Sequence, residues 1–176
     1  MSTATALEIA SGEPESLLAG DRSEAGQRAW RGLLRAHVCL AKRLDAALEQ
    51  AHGLPLTSYE VLDRLEDSSG GRMRMCDLAD QAQLSRSGLT RMVDRLEREH
   101  LLERCSCAHD ARGSFACLTD RGRERLQEAR VTHLAVVREQ FFSRFSEAEL
   151  SLLADMCQRI APCSAAESAG ADVPGC

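Results

Sequence analysis

The segment that most restricts how this chain can fold is residues 75–122, where two short amphipathic stretches, separated by a tight turn, run directly into a hairpin. In residues 75–82, Met75, Leu78, Ala79 and Ala82 fall at the i, i+3, i+4, i+7 spacing of a helix with one buried face. Leu89, Met92, Val93 and Leu96 repeat that spacing. Gln83-Leu84 forms the turn between them, and Ser85 is placed to accept a hydrogen bond from the free N–H groups of the helix it opens. Off the apolar stripe, the second helix carries Ser85, Arg86, Ser87, Thr90, Arg91 and Arg95, all polar and mostly donors. Residues 101–107 and 114–118 are short, bounded by polar residues and joined through 108–113, as the strands of a hairpin would be. Arg72-Met73-Arg74 is where a minor first strand belongs. The order predicts a mostly α fold with a small β-hairpin wing, a winged helix-turn-helix. Its second helix could lie in the major groove of double-stranded DNA, the first turn against base edges and the flanks against phosphate.

The flanks are helical. Trp30, Leu33, Leu34, Ala41, Leu44 and Leu48 keep helical spacing to residue 51, and His52-Gly53 stops the run. Thr57-Ser58-Tyr59-Glu60 has the pattern of a reciprocal capping box, opening a helix that ends at residues 67–71. Thr119 caps a long helix in which Leu126, Ala129, His133, Val137, Phe141 and Phe145 recur every three or four residues. Ser146-Glu147-Ala148-Glu149 is a second capping box, opening a last helix expected to turn Leu150, Leu153, Cys157 and Ile160 inward. This gives a reading head over residues 55–118 and helical dimerisation regions over 24–51 and 119–161, together a domain of residues 23–161. Residues 1–22 read as a disordered lead, and 162–176 as a flexible tail. Apolar stripes left over at both ends suit a homodimer, whose twofold axis would set two reading helices one DNA turn apart.

A formal charge of −5 argues at first against a nucleic-acid partner. Location matters more: residues 84–125 hold nine Arg against seven carboxylates, a local balance of +2 that leaves −7 for the remainder. Such a footprint suits binding at specific sites rather than general coating of DNA. Lys42 is the only lysine, so arginine is the default cation here and position carries more weight than identity. One Trp, one Tyr and four Phe leave the core to Leu, Ala and Val, which favours helices. No apolar run is long enough to span a bilayer and the start lacks a signal-peptide pattern, so a cytoplasmic protein without a membrane partner is expected. HExxH, GxSxG and a phosphate-cradling Gly loop are all missing, and neither an enzyme nor a cofactor is expected.

The run Leu84-Ser85-Arg86-Ser87-Gly88-Leu89-Thr90-Arg91-Met92-Val93-Asp94-Arg95-Leu96, then Leu101-Leu102-Glu103-Arg104, Asp110-Ala111-Arg112-Gly113 and Leu118-Thr119-Asp120-Arg121-Gly122, resembles the MarR-type transcriptional regulators. The likeness extends more loosely from residue 24 to residue 160, including Leu54-Pro55-Leu56-Thr57. It implies a homodimer that occupies a short palindromic operator, usually as a repressor, and releases it on sensing a small-molecule effector or an oxidant. It also implies roles for the wing: Arg112 would enter the minor groove, while Asp110 would orient a neighbouring arginine, here Arg95. Ala111 departs from the family, which often has another Arg there.

Eight cysteines are the most open feature. Cys105, Cys107 and Cys117 with His109 could gather three thiols and an imidazole on the wing, although the spacing is not that of CxxC pairs and no metal site is assigned. Small packed residues and incidental surface thiols account more simply for most of them. Cys39, on the first long helix beside His37 and Lys42, is a further candidate sensor with Cys105, Cys107 and Cys117. Some regulators of the resembled type sense peroxides through a cysteine near the start of that helix, but the tyrosine pair that assists them is missing, Tyr59 being the only Tyr. Two rival readings stay open: a winged-helix protein-interaction module without DNA binding, and a thiol or metal-handling protein built on the cysteines.

Overall fold

The computed structural model describes residues 23–107 and 110–160, with the side chains of residues 106–113 outside the described set, as are the expected lead and tail. In chain order the elements are α1 (Glu24–His52), α2 (Leu56–Asp67), a 3-10 turn (Ser69–Gly71), β1 (Arg72–Arg74), α3 (Met75–Gln81), α4 (Arg86–Arg98), β2 (Leu102–Cys107), β3 (Asp110–Leu118), α5 (Asp120–Gln140), a 3-10 turn (Phe142–Arg144) and α6 (Glu147–Ile160). The fold is mostly helical with one small antiparallel sheet in the order β1-β3-β2. The chain divides into a unit ending at Leu40 and a second beginning at Ala41. The first contributes the N-terminal part of α1, on which Trp30, Leu33, Leu34 and Val38 are exposed.

The second unit holds the core. Leu48, Leu54, Val61, Leu62, Leu65, Leu78, Leu89, Val93, Leu96, Leu102 and Leu126 are all essentially inaccessible and form one cluster. All but Leu54, between α1 and α2, and Leu102, on β2, lie on helices, and burying each contributes about 1.5–3 kcal/mol before the entropy of ordering is subtracted.

Several starts and stops differ from expectation. The pattern at residues 57–60 does not act as a capping box: α2 begins at Leu56 behind Pro55, without a side-chain cap. Asp45 on α1 accepts the Leu56 N–H at 2.9 Å, so one of the free donors at the start of α2 is satisfied from the preceding helix. The hairpin is longer than its polar boundaries suggested, because β3 starts at Asp110, which pairs with Cys107 beyond an irregularity after Ser106. At the second box, Glu149 takes hydrogen bonds from both the Ser146 N–H and its hydroxyl, and these hold its carboxyl below the usual range. The inward stripe of α6 is not formed within one chain: Cys157 and Ile160 are exposed, and none of the helix's residues is buried. With Leu152 and Met156 also exposed, α6 presents an apolar surface that the other described residues leave uncovered.

Helix α5 packs on α2 through a polar seam. Arg130 pairs with Asp63 at 2.6 Å and Arg123 pairs with Glu66, while the His52 Nε2 and Thr132 Oγ1 atoms lie 2.8 Å apart. The Tyr59 ring stacks on His133 with centroids 4.6 Å apart. Burial pushes the His133 pKa down, with Arg130 adding to the effect and Asp63 and Glu60 opposing it, and Nδ1 is buried without a hydrogen-bond partner among the described residues. Burial, helped by Asp63 and opposed by Arg130, raises the Tyr59 phenol. Because the folded state holds His133 neutral while the unfolded chain protonates near 6.5, the folded protein has the advantage above that pH and loses it as pH falls through 6.5 towards the lower folded value. Urea denaturation is therefore expected to show lower stability at about pH 5.5 than at about pH 7.5, and His133→Phe, which keeps the stacking, should flatten that difference. An unchanged pH slope in the variant would remove His133 as the cause.

Candidate nucleic-acid interface

The turn between α3 and α4 is built by backbone geometry. Leu84 N–H bonds to the Ala79 carbonyl and Gln83 N–H to that of Asp80, closing α3 with Gln83 in the left-handed region at φ 53°. The chain then emerges at Ser85, whose Oγ accepts the Gly88 N–H at 3.1 Å, so α4 has the cap its sequence calls for. Leu89, Val93 and Leu96 are buried, which turns Ser85, Arg86, Ser87, Thr90 and Arg91 outward on one exposed face. Thr90 donates its hydroxyl to the Arg86 carbonyl at 2.8 Å, leaving its oxygen free to accept. Among the described residues neither Arg86 nor Arg91 has an ion pair.

Arg95 stands apart from this face. It is half-buried and donates to the Oγ of Ser58, a fully buried hydroxyl on α2, so it ties α4 to the helix behind it. The side chains of Asp110 and Arg112 lie outside the described residues, and the pairing of Asp110 with Arg95 therefore rests on the resemblance alone.

Arg104, part of the stretch that carries the resemblance but not a candidate site residue in the sequence, organises the electrostatics. From β2 it reaches Asp94 at 2.5 Å and also Glu97, and its pKa is raised chiefly by the Asp94 hydrogen bond. Both carboxylates on α4 are thereby paired from the hairpin side, while Arg86 and Arg91 have no ion pair among the described residues. Being partly exposed, each ion pair contributes at most about 1 kcal/mol, so its main effect is on local potential and on the seating of the hairpin. The signal available in sequence was only the alternation of β2 and the seven-residue spacing from Glu97.

Behind α4, the chain turns a tight corner. His100 adopts φ 60° to close the helix, and the Leu101 N–H bonds to the Leu96 carbonyl. Thr119 donates its hydroxyl to the His100 carbonyl and accepts the Gly122 N–H, while the Thr119 N–H bonds to the Leu101 carbonyl at 3.3 Å. The end of the recognition helix, the root of the hairpin and the start of α5 are thus joined within a few residues.

The thiols are distributed differently from expectation. Cys39, Cys76 and Cys157 are free and exposed. Cys105 and Cys117 form a disulfide between β2 and β3, with Cα atoms 6.3 Å apart. That bond occupies two of the thiols a wing metal set would need. Among the described residues, no group of three or more His, Cys, Asp or Glu is placed to hold a metal ion. Cys107 and His109 are outside the described side chains.

Comparison with known proteins settles the family. Residues 52–113 match the model of the MarR family. The HTH-type transcriptional regulator MhqR of Bacillus subtilis (strain 168) is 30% identical over 128 residues, which span 73% of this chain and 86% of that protein. The chain belongs to the MarR family of transcriptional regulators. Its structure is similar to that of AbsC, a MarR-family regulator from Streptomyces coelicolor, at 35% identity and TM-score 0.74, covering 79% of this chain and 93% of AbsC. It is also similar to that of Sco3205, a MarR-family regulator from the same organism solved in complex with DNA, at 34% identity and TM-score 0.75, covering 79% of this chain and 90% of Sco3205. The helix-turn-helix and hairpin described above are thus the winged helix of a MarR-family regulator, and the longest stretch quoted for the resemblance, residues 84–96, is α4 and its cap. No helix among the described residues is long and apolar enough to cross a membrane.

Proposed function

We propose that this protein is a homodimeric, sequence-specific DNA-binding repressor that occupies a palindromic operator and leaves it when a small-molecule effector or a stress signal is sensed. The observation that carries this reading is the exposed first turn and a half of α4. There a capped helix presents Arg86, Ser87, Thr90 and Arg91 together, with no ion pair on either arginine among the described residues, while neighbouring carboxylates are held by Arg104. Helix N-terminal donors and unpaired guanidinium groups are suited to base edges and phosphates in a major groove. The DNA complex of Sco3205 supports carrying the partner over to this chain. The homodimer is supported by the exposed apolar side chains of α1, Trp30, Leu33, Leu34 and Val38, and separately by those of α6, Leu152, Met156 and Ile160, which a second copy would cover. Arg112, by its place in the wing and by the family resemblance, contributes affinity from the minor groove.

Selection of bound fragments from a random DNA library with the purified protein tests the proposal. Enrichment of an inverted repeat with half-site centres about one helical turn apart is expected. Arg112→Ala should weaken binding to all sequences alike. Absence of any enriched sequence would overturn the assignment in favour of a winged-helix interaction module.

A further inference from the structure

We infer that Ser58 is a positioning residue for DNA reading: its buried hydroxyl on α2 holds the Arg95 guanidinium at the flank of α4, where that arginine meets a DNA phosphate. The inference rests on the DNA-reading function proposed above, and it brings in a residue that itself touches no DNA.

Ser58 breaks the pattern of its own helix. With Val61, Leu62 and Leu65 it falls at the i, i+3, i+4, i+7 spacing, and all four are buried, so an apolar side chain would suit the position. Apart from Tyr59, no other residue with a polar side chain is buried among the described residues. A hydroxyl removed from water is costly unless it is hydrogen-bonded, and here Arg95 supplies the bond by donating from a terminal nitrogen to Oγ. The backbone fixes where that oxygen stands. The Ser58 N–H bonds to the Pro55 carbonyl at 2.9 Å, and Asp45 on α1 holds the Leu56 N–H two residues earlier.

The neutrality of this acceptor separates Arg95 from other half-buried arginines that join two elements. Arg104 meets Asp94 and Glu97, Arg123 meets Glu66 and Arg130 meets Asp63, so each is tied by carboxylates that offset its charge. Arg95 has no ion pair among the described residues and is tied by a hydroxyl. A guanidinium does not deprotonate, so its full charge survives the tie, and its planar fork carries further N–H groups that one hydroxyl cannot occupy. Its place suits a phosphate. Arg95 lies one turn, about 6 Å, beyond the exposed Arg91 on α4, between the exposed face and α2. A cation at the edge of a helix seated in a major groove meets the sugar-phosphate wall rather than base edges. Holding that side chain in place before contact lowers the entropy lost on binding, and a twofold dimer gains this twice.

Ser58→Ala, Arg95→Ala and the double variant of the full-length protein are to be compared with the parent over a salt series. The probes are a random-sequence duplex and the duplex enriched in the selection above, and urea denaturation is run alongside. Ser58→Ala is expected to lower affinity for both duplexes about tenfold, at an unchanged salt slope and a parent-like urea midpoint, because the phosphate contact persists but must be ordered on binding. Arg95→Ala should reduce the salt slope by about one for each subunit, and Ser58→Ala should have no further effect in that background. Parent-like affinity of Ser58→Ala would leave the positioning to Asp110 and overturn the inference. It would also fall if Ser58→Ala cost the same affinity with and without Arg95, which is the mark of a packing role, or if Arg95→Ala kept the parent's salt slope. Failure of the parent to bind either duplex would instead overturn the DNA-reading function, whereas each of the other outcomes leaves parent binding intact.

Discussion

Gly122→Ala is expected to be among the most damaging single substitutions in this chain, although it replaces glycine by the best helix former inside a helix. On propensity alone the change should stabilise α5 by about 0.5–1 kcal/mol. The structure reverses the sign. A Cβ at residue 122 would overlap the Leu101 carbonyl oxygen and come within 2.8 Å of both the Leu101 carbonyl carbon and Leu118 Cδ1. These atoms cannot step aside cheaply: the Leu101 carbonyl accepts the Thr119 N–H, and the Leu101 N–H is held by Leu96. Forcing an atom into packed backbone costs roughly 3 kcal/mol or more, a large part of the 5–15 kcal/mol that typically holds a domain folded. A marked fall in the urea midpoint, or recovery of the variant only as insoluble protein, is expected. Gly88→Ala is the control, because a Cβ there meets only the Ser85 hydroxyl at 3.1 Å. A Gly122→Ala protein as stable as the parent would show that α5 does not pack against Leu101 in this way.

The second large effect concerns binding with the fold intact. Arg91→Ala, and Arg86→Ala in parallel, should each lower operator affinity by at least about 2 kcal/mol, roughly thirtyfold. A good arginine contact to a base contributes about 1–3 kcal/mol, and a twofold dimer loses it twice. Both side chains are exposed without ion pairs among the described residues, so unfolding midpoints should stay within about 0.5 kcal/mol of the parent. Base preference should relax as well, which separates these positions from a pure phosphate contact. Parent-like affinity in both variants would remove the exposed face of α4 from the interface.

The helix-turn-helix was legible in the sequence because its determinants are local: the apolar spacing of Leu89, Val93 and Leu96 and the hydroxyl of Ser85 act within one helix. Features decided across the fold were not. Nothing near residues 57–60 reveals that Asp45 on the preceding helix caps α2, and neither Asp94 nor Glu97 discloses Arg104 as a partner arriving from β2. The inward stripe of α6 was assigned from periodicity, which measures amphipathicity but does not say which surface covers the face. Eight cysteines allow many pairings, and only the register of β2 on β3 selects Cys105 with Cys117. Gly122 belonged to the sequence resemblance, yet its reason is a backbone approach invisible without the corner it fits.

That corner has a mechanical consequence. Leu101, Thr119 and Gly122 weld the foot of α5 to the end of α4, and α5 runs for 21 residues, about 31 Å. Joined at this corner the two helices form a crank, in which rotation at one end becomes travel at the other. A turn of about 5° at the corner corresponds to about 3 Å at the far end of α5 and to about 2 Å at the start of α4, 13 residues away, enough to break a hydrogen bond there. On the function proposed above, a signal at the far end of α5 would reach the exposed face of α4 through this corner.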